Sequence, residues 1–158
     1  MRGFALPSHP RAQRTFVIHH NDTTTLRMTP PAPIPATTEA TAAQVIEFAF
    51  RVHRQLGPGL LESVYEICLR HELTRANMRY VAQAALPITY DSLRLDAGLR
   101  LDFLVDDQVI VELKAVEAIL PVHEAQLLTY LKLSGRRLGL LINFNTALLK
   151  NGIRRIVL

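Results

Sequence analysis

The chain has 158 residues, 49% of them hydrophobic, with no Trp, one Cys and a formal net charge of +4. That length holds one domain with a sizeable core but not comfortably two; a single cysteine excludes an internal disulfide, no Cys/His cluster suggests zinc, and no apolar run reaches the ~18 residues of a membrane span. The charge is unevenly spread: residues 1–38 carry four Arg against Asp22, whereas the remainder has 14 basic and 13 acidic residues, so the basic balance is weak evidence for a nucleic-acid-binding domain.

Residues 1–38 hold six of the nine prolines and many Thr, with neither a helical nor a strand period. Such a stretch cannot bury enough apolar surface to offset the entropy of ordering, so it is predicted to be a disordered extension ahead of a single domain at 39–158. It lacks the apolar region of a secretory signal; its prolines count against an amphipathic transit peptide, while its Arg and Thr content leaves that alternative open, and Met28 is an alternative start. With one cysteine, a reducing cytoplasm is the default compartment.

The spacing of Val45, Phe48, Ala49, Val52 and Leu56 predicts a helix over 39–56, with Thr38 or Thr41 as N-cap and His53 packed on its apolar side. Gly57-Pro58-Gly59 ends it. A second helix is predicted over 60–78, with Leu61, Val64, Cys68, Leu69 and Leu73 inward and Cys68 a core thiol. Glu62 and Glu66 lie one turn apart, with Tyr65 beside Glu62 and Arg70 a turn beyond Glu66; on spacing alone these are solvated glutamates near a helix N-terminus, Glu66 pairing with Arg70. Residues 81–90 read as a strand interrupted or edged by Pro87, and 91–98 as a turn-rich connection.

Two apolar runs follow, 101–105 and 109–113, separated by Asp106-Asp107-Gln108. They predict a β-hairpin. Leu101, Phe103, Val105, Val109, Val111, Leu113 and Ala115 are all odd-numbered and apolar, and this face belongs against a core. Matching the apolar faces requires an odd loop, most simply the three residues 106–108, so that Val105 faces Val109, Phe103 faces Val111 and Asp102 faces Glu112; a one-residue slip would bury Asp102 on the apolar side. Patterning therefore brings two carboxylates together, with Lys114 further along the same face. Facing carboxylates repel unless something compensates. A divalent cation with hard oxygen ligands, Mg²⁺ or Mn²⁺, would do so; a solvated face with Lys114 pairing one carboxylate is the alternative.

A third helix is predicted over 121–134, with Pro121 in its first turn. His123, Gln126 and Tyr130 share one polar-aromatic stripe, and Val122, Ala125, Leu128 and Leu131 supply the core stripe. Residues 138–142 read as a buried central strand, and Asn151-Gly152 turns into a last strand at 153–157.

The order helix, strand, hairpin with Asp…Glu-x-Lys, helix with Gln, strand resembles the PD-(D/E)XK nuclease superfamily. Gly59-Leu60-Leu61-Glu62-Ser63-Val64-Tyr65, with VIVELKAV, LPVHEAQLLTYLKLSG and LGLLINFN, is similar to the bacterial GxxExxY family within it, over residues 40–158. The resemblance implies an α/β, restriction-endonuclease-like core: a mixed central β-sheet, including the hairpin with D-x9-E-x-K, flanked by α-helices. It implies Asp102 and Glu112 as metal ligands, Lys114 as the residue that positions or activates the attacking water, Gln126 as the helix glutamine and Glu62 as the acidic residue of the first core helix, a further ligand for Mg²⁺ or Mn²⁺. Leu101 stands where the motif's name has proline.

The expected activity is metal-dependent hydrolysis of DNA or RNA phosphodiester bonds. About 120 residues of domain offer little substrate surface, so a homodimer or partner protein is expected, and Arg94, Arg100, Arg136 and Arg137 are candidate phosphate contacts. The competing readings are a catalytically inactive nucleic-acid-binding or protein-interaction module on the same fold, and a protein that uses the metal only to tie the hairpin.

Overall fold

The computed structural model of the protein describes residues 32–95 and 98–158, the side chains of Tyr90 and Arg94 aside. Most of the extension expected to be disordered therefore lies outside the described residues. Helix α1 (Ala36–Leu56) buries Ala42, Val45, Phe48, Ala49 and Val52, the stripe its spacing predicts. It begins at Ala36 rather than at 39, and neither threonine caps it; Pro35 holds the N-cap position with no side-chain bond. The Thr38 hydroxyl donates to Gln108 Oε1 at 2.6 Å and the Thr41 hydroxyl to Asp106 Oδ2 at 3.2 Å. Hydroxyls committed to a distant turn are no longer available to the helix's own free amides.

Helix α2 (Glu62–Arg75) follows Gly59, whose φ of 95° suits glycine and strains other residues. Its buried residues are Tyr65, Leu69 and Leu73, whereas Leu61 is the N-cap and 75% exposed. The expected stripe was rotated because Tyr65 takes the inward position. Its ring stacks on Phe144 at 4.5 Å between centroids, and its hydroxyl donates to the Gly57 carbonyl and accepts the Leu60 N–H. A buried aromatic ring with its hydroxyl satisfied outweighs one more leucine.

Pro87 splits the next predicted strand into β1 (Tyr80–Ala85) and β2 (Ile88–Tyr90), and β2 pairs with β3 (Leu93–Leu95), a short strand inside what reads as a turn-rich connection. Strand β4 (Arg100–Val105) then turns back as β5 (Val109–Lys114), with Val105 opposite Val109 and Phe103 opposite Val111, the predicted register. Helix α3 (Pro121–Ser134) carries the chain to β6 (Leu138–Asn143), which lies parallel to β5. A short 3-10 turn, Leu149–Gly152, leads into β7 (Ile153–Val157). Gly152 is required there, because a Cβ would stand 2.2 Å from the Asn143 carbonyl oxygen.

The main sheet runs β1-β4-β5-β6-β7, antiparallel except at β5–β6. Helices α1 and α2 cover one face, burying Phe103, Val105, Val109, Val111 and Leu113. Helix α3 covers the other, where Ile110, Leu141, Leu127, Tyr130 and Leu131 meet. This is a mixed α/β fold with a central sheet flanked by helices, as expected. The stripe of α3 differs from the prediction: Leu127, Tyr130 and Leu131 are buried, while Val122 and Ala125 are exposed. Leucines at 127, 128, 131 and 133 satisfy more than one helical phase, and the side with Tyr130 wins. Leu101 also departs from its predicted face, packing with the α3-side cluster rather than with Phe103. Pairing is interrupted at Asp102: the backbone ladder to β5 is formed at Phe103 but not at Asp102, and the ladder to β1 skips Gln83 opposite it.

Candidate active site

Two strand ends and the N-terminus of α2 build the site. Where the β4–β5 ladder stops, the two predicted carboxylates take over its hydrogen bonds. Asp102 Oδ2 accepts the Leu113 N–H at 2.8 Å, and Glu112 Oε1 accepts the Asp102 N–H at 3.3 Å. Each acidic side chain thus binds the backbone of the opposite strand, so both are fixed by the sheet itself. Lys114, two residues beyond Glu112, brings Nζ to 3.9 Å from Glu112 Oε2. These groups lie towards the C-terminal ends of the parallel β5–β6 pair, where open α/β sheets commonly place ligands.

Burial makes this an electrostatically unfavourable place. Glu112 is only 3% exposed; loss of hydration, then repulsion from Asp102, pushes its carboxyl up to about 8 despite Lys114. Asp102 is raised as well, mainly by burial, with the Leu113 amide and Lys114 opposing. Burial raises Glu62, and Lys114 and the Ala115 amide pull it back. The three acidic residues named from the sequence therefore share one electrostatic neighbourhood with one lysine. Among the described residues, however, no three His, Cys, Asp or Glu side chains are gathered as ligands around one point. Asp102 and Glu112 form the interlocked pair, and Glu62 is not gathered with them.

The donor chemistry fits a divalent cation of the Mg²⁺ or Mn²⁺ class: carboxylate oxygens on rigid strands, with negative charge exceeding its compensation. Asp102 and Glu112 are the residues that could hold it.

The other predicted residues fall into two groups. Tyr130 lies near the acidic pair: burial raises its phenol first, and Glu112 and Asp102 raise it further. Gln126 donates to the Tyr130 hydroxyl at 2.7 Å, so it reaches the site through that tyrosine. His123 serves its own helix, its Nδ1 accepting the Leu120 N–H at 3.1 Å. Tyr65 belongs to the core, as does His53, whose Nε2 lies 2.8 Å from the Thr146 carbonyl.

Of the candidate phosphate contacts, Arg136 pairs with Asp107 and bonds the Ser134 carbonyl, while Arg137 holds the carbonyls of Leu158, Pro33 and Ala32. Both precede β6 beside the Val109 end of β5, away from Lys114, and neither is placed to meet a phosphate at the acidic pair. Arg100 lies at the site end and donates to the Gln83 carbonyl at 3.3 Å. The side chain of Arg94 lies outside the described residues.

Sequence reasoning missed Gln83. Its amide nitrogen donates to Glu66 Oε2 at 3.2 Å and to Asp102 Oδ1 at 3.4 Å. A glutamine within an apolar-looking strand, VAQAALPITY, gives no signal until the strand opposite it is known.

A family model of the PD-(D/E)XK nuclease superfamily matches residues 39–156. No curated relative and no solved structure matches the chain.

Proposed function

The chain belongs to the PD-(D/E)XK nuclease superfamily, and from that premise we propose that it is a metal-dependent nuclease of the GxxExxY kind, with the activity carried by the domain at 39–158. One observation carries the reading: Asp102, half-buried, and Glu112, buried, interlock across two strands, with Lys114 as the nearby cation. As a structural ion pair the arrangement is unfavourable, since the carboxylates outnumber the lysine and Glu112 is forced towards its neutral form. As a site awaiting a divalent cation it is favourable.

In this reading Asp102 and Glu112 hold Mg²⁺ or Mn²⁺, and Glu62 adds negative charge beside them. When bound, such a cation polarises a phosphoryl oxygen and lowers the pKa of a coordinated water. Lys114 orients the attacking water by hydrogen bonding and offsets charge that develops on the phosphate. The Gln126–Tyr130 pair donates towards the same space from α3, positioning water or the phosphate backbone. DNA or RNA is the substrate, and a second copy or partner protein supplies binding surface that a domain of this size lacks.

Calorimetric titration of Mn²⁺ and Mg²⁺ into the purified protein, beside Asp102→Asn and Glu112→Gln, tests this without choosing a substrate. The expected result is Mn²⁺ binding that both substitutions abolish, followed by Mn²⁺-dependent cleavage in a panel of single- and double-stranded DNA and RNA. Absence of Mn²⁺ binding in wild type and variants alike would overturn it in favour of a catalytically inactive nucleic-acid-binding or interaction module.

A further inference from the structure

Gln83 is a non-glycine residue with φ +53° inside a strand. That conformation costs of order 1 kcal/mol for an ordinary side chain, and it breaks the β1–β4 ladder at one position, the one opposite Asp102. Strain that interrupts a sheet needs an offsetting gain, and the contacts of the side chain supply it. The two amide hydrogens of Nε2 go to two different carboxylates, Glu66 and Asp102. The orientation of the amide is fixed by chemistry, because its oxygen in that place would face acceptors only. Glu66 is itself held by Arg70 at 2.6 Å, so a continuous chain runs Arg70, Glu66, Gln83, Asp102, from α2 across the sheet edge to the site.

We propose that Gln83 is a positioning residue for Asp102: the left-handed backbone at Gln83 delivers a neutral amide between two carboxylates and fixes the oxygen of Asp102 that the sheet leaves free. The Leu113 N–H holds Oδ2 and the Gln83 amide holds Oδ1. Neither Glu nor Lys can substitute. A glutamate would place a third negative charge beside two, and a lysine would form an ion pair that competes with a cation for Asp102. Asparagine tolerates the left-handed backbone but is one methylene too short to bridge both partners.

This inference rests on the metal-dependent reading of Asp102, and its test separates the two. Mn²⁺ is titrated calorimetrically into wild type, Gln83→Asn and Gln83→Glu, and the melting temperature of each protein without metal is measured in parallel. Gln83→Asn is expected to keep a melting temperature within a few degrees of wild type yet bind Mn²⁺ about tenfold more weakly, the scale of losing a residue that orients a ligand. Gln83→Glu, which sets a third carboxylate beside Glu66 and Asp102, is expected to lower the melting temperature of the metal-free protein, and an unchanged value there would overturn the need for a neutral amide. Equal Mn²⁺ affinity in wild type and Gln83→Asn would overturn the positioning role and leave the metal site standing. Absence of Mn²⁺ binding in the wild type would overturn both. If Gln83→Asn fails to fold, Glu66→Ala, which removes the acceptor that anchors the Gln83 amide from the opposite side, is expected to weaken Mn²⁺ binding to a smaller degree, and unchanged affinity there overturns the proposal.

Discussion

The β4–β5 hairpin carries an acidic pair at each end, and the two ends treat their charges in opposite ways. At the turn, Asp106 and Asp107 adopt φ of 50° and 59°, as the mirror-image hairpin turns require. Every acidic group there is answered: Asp106 accepts from Thr41 and lies 3.6 Å from Arg79, and Asp107 pairs with Arg136. Asp107 is also largely exposed, so water screens it. At the other end, Glu112 is buried and Asp102 half-buried, near Glu62 and with Lys114 as the nearby cation, and Glu112 rises to about 8. Two acidic pairs on one hairpin, equally polar in sequence, differ in whether the fold neutralises them. The fold completes the electrostatics of the turn and leaves those of the site unfinished, which is the physical signature expected of a ligand site.

The contrast is broken most severely by neutralising each pair in turn. Asp102→Asn or Glu112→Gln is expected to lower Mn²⁺-dependent cleavage by more than about 100-fold, since ligands matter more than the residues that orient them. Asp106→Asn with Asp107→Asn is expected to leave cleavage within about twofold and to register only in thermal unfolding. An equal loss in both experiments would show that the site depends on the hairpin as a whole.

Acidity sharpens the comparison next. A carboxyl raised in the folded state holds its proton there at pH values where the unfolded chain has released it. Its contribution to stability is therefore complete below its ordinary value of 4.5 and is lost as pH rises through about 8. Asp102 and Glu62 are shifted in the same direction. Metal-free protein should accordingly lose stability, of the order of a few kcal/mol, between about pH 5 and pH 8. Urea unfolding in the presence of a chelator measures it. Glu112→Gln should flatten the slope and be more stable than wild type at the alkaline end; a parallel slope in that variant would place the effect elsewhere.

The smallest effect belongs to the turn. Thr38→Val removes the 2.6 Å bond to Gln108 and should cost about 1 kcal/mol with unchanged cleavage. Thermal unfolding and a cleavage assay on one preparation are enough to check both halves.

The hairpin was the most legible part of the sequence, because strand alternation with a three-residue turn admits a single register that keeps Asp102 off the core. The same reasoning reaches too far at Leu101, which packs on the α3 side although Phe103 packs on the other, beyond the point where the ladder to β5 stops. Helix boundaries were recovered where glycine and proline punctuate the chain, as at Gly57-Pro58-Gly59 and Pro121. Helix faces were recovered less well. On α2 and α3 the inward direction is set by Tyr65 and Tyr130, whose partners, Phe144 on one side and the acidic pair on the other, are remote in sequence. Gln83 was beyond reach for a related reason: its meaning lies in a backbone conformation and in a strand 19 residues away.

The interruption at Gln83 has one more consequence, for how the molecule behaves in a crowd. Strand β1 is an outer strand of the main sheet, and Val81 on it is more than half exposed. Unbroken, such an edge offers a regular row of donors and acceptors on which another chain can grow as a further strand. The left-handed residue in the middle of β1 spoils that row, as a bulge does. At the opposite edge, β7 carries Arg154 and Arg155, side chains held by Glu124 and Glu39. The sheet is closed to further growth at one margin by charge and at the other by a single misfitting backbone unit.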